Sequence, residues 1–124
     1  MNDKVAINFV AVTKPKERSP ILSRRSKLVS YLDRQLAKVH QFKAGSDTGG
    51  AQFWLDPTGA IFLQVNYGRY PLEVAKGKTT VKCTSFDDLE TTINRLKDIA
   101  RVGDFDEPLH KAALAIRTKF KRKP

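Results

Sequence analysis

The sequence predicts an α+β domain in which helices pack on one face of a small antiparallel sheet, in the order β-α-β-β-β-β-α-α. Three observations carry this expectation. The stretch SPILSRRSKLVSYLDRQLAKVHQFKAG (19–45) repeats apolar residues at helical spacing. Residues 51–83 break into short β-rich segments punctuated by turn residues. Two further helical patterns then run to the C-terminus.

Taken in order, Val5 to Thr13 (VAINFVAVT) is short and rich in β-branched and aromatic residues, which predicts a buried strand. Lys14 to Arg18 is a charged connector in which Pro15 blocks further pairing. Ser19 is a suitable N-cap, Pro20 suits the first helical position, and Gly45 suits a stop. In that helix Ile21, Leu28, Leu32, Leu36 and Val39 fall on one arc. Arg24, Lys27, Tyr31, Arg34 and Lys38 fall on another, a basic stripe with a central tyrosine and no acid; Arg25 lies beside it.

Four strands are expected next, AQFWLD, AIFLQVNY, YPLEVA and KTTVKC, joined by tight turns at Asp56-Pro57-Thr58-Gly59, Gly68-Arg69 and Lys76-Gly77. Such short connections predict a four-stranded meander. Pairing Leu55 with Ile61, Tyr67 with Tyr70 and Ala75 with Lys78 fixes the faces. One face carries Phe53, Leu55, Ile61, Leu63, Val65, Leu72, Val74, Val81 and Cys83, a core. The other carries Gln52, Trp54, Phe62, Gln64, Asn66, Glu73, Lys78, Thr80 and Lys82. Ser85, three residues before Asp88, opens a helix with the stripe Phe86, Leu89, Ile93, Leu96 and Ala100, ended by Gly103. A last helix is expected from Pro108 with Leu109, Ala113, Ile116 and Phe120 inward. The domain is thus read as 1–119, with 120–124 a basic tail.

The 124 residues suffice for one core, and 40% hydrophobic with 29% charged residues is a soluble globular mixture. No apolar run approaches the length of a membrane span, and the N-terminus lacks the form of a secretory signal. One cysteine cannot form an internal disulfide, so a cytoplasmic setting is expected, the host cytoplasm if the protein is viral.

Charge is segregated. The net is +10 overall, +7 over residues 1–45, −4 over 84–110 and +6 over 111–124. That pattern suits a positive field presented to a polyanion. Trp54 and Phe62 on the outer face can stack bases, while Lys78 and Lys82 can hold phosphates. Lys119, Lys121, Arg122 and Lys123 extend the basic surface at the C-terminus.

No catalytic constellation emerges. In AKGKTTVKC the position five residues before Gly77 is Leu72, and a strand, not a helix, follows the lysine, so GKTT is not a P-loop. His40 and His110 have no partner at ligand spacing, and Cys83 falls on the core face. The expectation is a binder with no metal and no cofactor.

TKPKERSPILSRRSKLVSYLDRQL and YPLEVAKGKTTVKCTSFDDL resemble a family of small phage and proteobacterial proteins that share a "KPK…SP…RR.KL" start and an "LE.AKGK..V…S.D.L" centre. Within it, length and character look like Drc-type phage-encoded single-stranded-DNA-binding cofactors of RNA polymerase. That resemblance implies coating of single-stranded DNA, an RNA polymerase partner and a role in phage transcription or replication. A homo-oligomer is expected, since a coating protein gains from multivalency. RNA, duplex DNA or a host enzyme bound by a protein-interaction module are the rival partners.

Overall fold

Helix α1 (Pro20–Lys43) occupies the predicted span in a computed structural model that describes residues 7–12, 19–45 and 49–121. Pro20 stands in the first turn; Ser19 is the N-cap residue, but its side chain makes no capping bond. The chain leaves the helix through Ala44 and Gly45, the latter at φ +85°. Leu28, Leu32 and Val39 are fully buried. Ile21, at the helix start, is exposed instead.

Five short strands follow: β1 (Phe53–Leu55), β2 (Ile61–Gln64), β3 (Asn66–Tyr67), β4 (Tyr70–Pro71) and β5 (Thr80–Cys83). β1, β2 and β5 form an antiparallel sheet in that spatial order, and β3 pairs with β4 in a separate ladder. The expected pairs Leu55–Ile61, Tyr67–Tyr70 and Ala75–Lys78 are all present. The four-stranded meander is not. β2 pairs directly with β5, so Leu63 faces Val81 rather than Val74. Residues 65–79 form an outgrowth rooted at Val65, whose carbonyl accepts from the Leu72 N–H and whose own N–H donates to the Thr79 carbonyl. One residue thus serves two partner segments, which ends the ladder that a meander would continue.

The first predicted strand is also corrected. Residues 7–12 adopt no strand, and Ile7, Phe9, Val10 and Val12 are exposed, Phe9 by 87%. Val5, Ala6 and Thr13 lie outside the described residues. β-propensity expresses fit to a neighbouring surface, and among the described residues no strand lies beside this segment.

α2 (Phe86–Val102) starts as expected, with the Ser85 hydroxyl accepting from the Asp88 N–H and the Asp88 carboxylate accepting from the Thr84 N–H. It ends at Gly103, φ +96°. α3 (Asp106–Lys121) begins two residues before Pro108 and extends past residue 119. Its deeply buried residues are Leu109 and Ala112.

Leu89, Ile93, Leu96 and Ala100 of α2 pack with Leu28, Leu32 and Val39 of α1 against Phe53, Ile61, Leu63, Val65, Leu72 and Cys83. Val74 and Val81 sit at the margin of this core. Leu55, expected inside, is 50% exposed because it occupies the edge of the row Leu55–Ile61–Cys83. Burial pushes the Cys83 thiol above its ordinary pKa, so it packs as a small apolar group.

The join between α1 and the sheet is polar and specific. An antiparallel pair normally exchanges two hydrogen bonds. Gln64 N–H donates to the Gln52 carbonyl, 3.0 Å, but the return bond is absent. Instead Gln52 N–H donates to Gln35 Oε1 (2.9 Å), and the Tyr31 hydroxyl donates to the Gln64 carbonyl (2.6 Å). Burial pushes the Tyr31 pKa up to about 12. Tyr31→Phe therefore leaves the Gln64 carbonyl without its donor and costs about 1–3 kcal/mol, read from urea unfolding. Because the folded state favours the neutral phenol, wild-type stability falls as pH rises from 10.0 toward about 12, and Tyr31→Phe lacks that part of the fall.

Candidate nucleic-acid interface

Register places Trp54, Phe62 and Lys82 in one row across β1, β2 and β5. They share the outer face, since side chains alternate along a strand. The Trp54 and Phe62 rings stack with centroids 5.8 Å apart and planes 22° from parallel. Trp54 remains 46% exposed and Lys82 is exposed, while Phe62 is half-buried. The row is an aromatic step with a cation at its end. The turn between β1 and β2 is held by the Asp56 carboxylate, which accepts from the Thr58 N–H, the Thr58 hydroxyl and the Ala60 N–H. Those bonds keep Asp56 below the usual carboxylate range.

The basic stripe on α1 does not survive as one surface. Tyr31, its predicted centre, is 5% exposed and bonded into the sheet, so it cannot stack a base. Seen on the wheel it belongs with the polar stripe; in three dimensions it flanks the buried arc of Leu28, Leu32 and Gln35. Arg25 is also removed from the interface. Its guanidinium makes two bonds to the Asp106 carboxylate, 2.9 and 2.6 Å, and so ties α1 to the start of α3. That partner raises the Arg25 pKa and holds Asp106 low.

Two pairs of cations remain. Arg24 and Lys27 lie toward the N-terminal end of α1, with Lys27 Nζ 4.7 Å above the centre of the Tyr67 ring. Arg34 and Lys38 lie toward the C-terminal end, and Lys38 Nζ donates to the Gly49 carbonyl at 2.7 Å. Among the described residues, none of these four forms a salt bridge. The acids that could neutralise α1 are used on its other flank. Lys43 pairs with Asp87 and Glu90, His40 with Glu90, and Asp33 with Lys97.

Arg34 and Lys38 open onto a groove of about 440 Å³ between α1 and the β1–β2 mouth, whose other wall is Gln52, Gln64, Asn66 and Arg69. Among the described residues no carboxylate lines it. Gln64 lies two residues along β2 from Phe62 and on the same face, about 7 Å away, so groove and aromatic step are contiguous. Sequence reasoning missed Gln35 and Arg69. The signal for Arg69 was present, since its hairpin turn was expected, but only the pairing of α1 with the strand mouth aims it at the groove.

Lys78 sits on the exposed Ala75–Lys78 turn, away from the three-stranded sheet. Lys119 and Lys121 belong to α3, with side chains outside the described set; Arg122 and Lys123 lie outside the described residues. Among the described residues, no group of three or more His, Cys, Asp or Glu side chains could hold a metal ion, and no helix is long and apolar enough to cross a membrane.

The division of labour among the basic residues is measurable. Arg25→Ala lowers the melting temperature, whereas Lys27→Ala and Arg34→Ala leave it within experimental error. Because Asp106 is held low by Arg25, that pair's contribution is present above the ordinary carboxylate range and is lost as pH falls below about 4. Arg25→Ala flattens the acid limb of the stability curve accordingly. No protein-family model, curated protein or solved structure matches the chain.

Proposed function

We propose that this protein binds single-stranded DNA with little sequence preference. The observation that carries the reading is the outer-face row Trp54–Phe62–Lys82 running into a groove rimmed by cations and, among the described residues, by no carboxylate. Bases stack on the exposed Trp54 ring, Lys82 holds the adjoining phosphate, and Arg34, Lys38 and Arg69 hold the strand as it passes α1. Stacking on an aromatic ring contributes roughly 1–3 kcal/mol per base whatever the base, and phosphate contacts add a term that salt weakens. In line with its resemblance to Drc-type proteins, the protein would serve phage transcription beside an RNA polymerase, or replication.

Fluorescence anisotropy with oligo-dT tests this. Trp54→Ala weakens binding about 5- to 150-fold, the equivalent of the lost stacking. Arg34→Ala/Lys38→Ala lowers the slope of log K against log salt by about 1.4, two phosphate contacts at the single-strand value. Tighter binding of duplex or RNA at matched salt would replace the single-strand reading with one of those ligands. Absence of salt-dependent binding would leave a protein-interaction module.

The proposal includes a homo-oligomer, supported by the N-terminal segment. INFVAV (7–12) has strand composition and exposes four large apolar side chains, while β1 is a sheet edge with Leu55 exposed. The strand proposed for that edge is the same segment of a second copy. Light scattering is expected to show an oligomer that Phe9→Asp/Val10→Asp converts to monomer; a wild-type monomer rules this part out.

A further inference from the structure

We infer that the groove between α1 and the β1–β2 mouth is a pocket for one nucleotide, its phosphate on Arg34, Lys38 and Arg69 and the keto edge of its base on the amides of Gln35 and Asn66. This deepens the single-strand reading, from which it takes the nucleotide as ligand class, but its geometry stands on different residues from the aromatic step. Gln35 and Asn66 are 3% and 7% exposed, and both line the groove. Each is half used. Gln35 Oε1 accepts from the Gln52 N–H, and Asn66 Oδ1 accepts from Gln64 Nε2, both at 2.9 Å. Among the described residues neither amide NH2 meets an acceptor, although buried donors are normally paired.

A backbone donor fixes the orientation of Gln35, so its NH2 is the end left over. What the pocket lacks is an acceptor that enters from outside. Keto oxygens of a pyrimidine supply one, whereas adenine's acceptors are ring nitrogens and its exocyclic amine is a donor. The rim favours an anion at the same place, since among the described residues it holds three cations and no acid. The volume, about 440 Å³, lies within the roughly 300–1,000 Å³ of small-molecule sites. Gly50 and Gly68, at φ +82° and +66°, keep the rim free of side chains, and a Cβ there would stand 3.8 and 3.5 Å from Lys38 Nζ and Lys27 Nζ.

The test is an NMR titration of ¹⁵N-labelled protein with dTMP, dAMP and inorganic phosphate in separate arms, following the side-chain NH2 signals of Gln35 and Asn66. The expected result is that dTMP moves both signals, dAMP moves them less, and phosphate leaves them in place. Arg34→Ala/Arg69→Ala, both at exposed positions, weakens dTMP binding tenfold or more with the melting temperature retained. Trp54→Ala leaves the dTMP titration unchanged while weakening oligo-dT. Amide signals unmoved by dTMP, or moved equally by phosphate, overturn the pocket. If oligo-dT still binds in a Trp54-dependent way, the pocket alone has failed. If dTMP fills the groove and oligo-dT does not bind, the pocket stands and the single-strand reading falls.

Discussion

Two side chains of α1 take the place of one hydrogen bond in the sheet, and much of the molecule follows from that substitution. Gln52 and Gln64 would close the β1–β2 mouth by exchanging both of their backbone bonds, but Gln35 accepts from one and Tyr31 donates to the other. The strands keep one of their two bonds at that end, and the helix is pinned to them at two points one turn apart. Pinning fixes the rotation of α1 about its axis. With Tyr31 and Gln35 pointing down into the mouth, Arg34 and Lys38 must rise along its rim, and Leu28, Leu32 and Val39 must face α2 and the inner sheet. The groove is therefore a product of the join and not a gap left by loose packing.

Electrostatics reinforce the same orientation. The acid-rich stretch after β5 is spent on the flank of α1 opposite the groove, where Asp87, Glu90 and Asp106 meet Lys43 and Arg25. Each of these carboxylates is held below its ordinary range by its cation. Exposed pairs of this kind contribute little stability one by one, but they decide which basic residues keep a counter-ion inside the chain. Arg24, Lys27, Arg34 and Lys38 form no salt bridge among the described residues.

Elements whose physics is local were legible in the sequence. Pro20, the Ser85–Asp88 capping pair and Gly103 set helix ends, and Gly59, Gly68 and Gly77 set turns, so three strand registers could be written down in advance. Periodicity likewise gave the stacked pair Trp54–Phe62. Where long-range partners decide, reading failed. Nothing in INFVAV (7–12) says that no strand among the described residues will pair with it, and nothing near Val65 says that its N–H and carbonyl will serve residues 79 and 72. Tyr31 was misplaced because the wheel resolves directions around a helix and not what meets it; a tyrosine among lysines looks exposed until the strand end beneath it is known. Arg25 and Asp106 stand far apart in sequence, and no local rule pairs them.

The groove is also a cost to the folded state in the absence of ligand. Among the described residues, Arg34, Lys38 and Arg69 gather around one concavity with no acid in its lining, and like charges brought together oppose compaction. Burying the Gln35 and Asn66 amides, whose NH2 groups meet no acceptor among the described residues, opposes it again. The fold tolerates both because the neutral bonds at the strand mouth and the apolar core do not depend on what fills the groove. An anionic ligand with keto oxygens would remove both penalties at once, and if it bound only the folded chain its occupancy would add to stability in proportion to the logarithm of its concentration. A surface that merely carried excess lysines would show the charge effect and not the amide effect. The pairing of the two at one place is what separates a site from a basic patch.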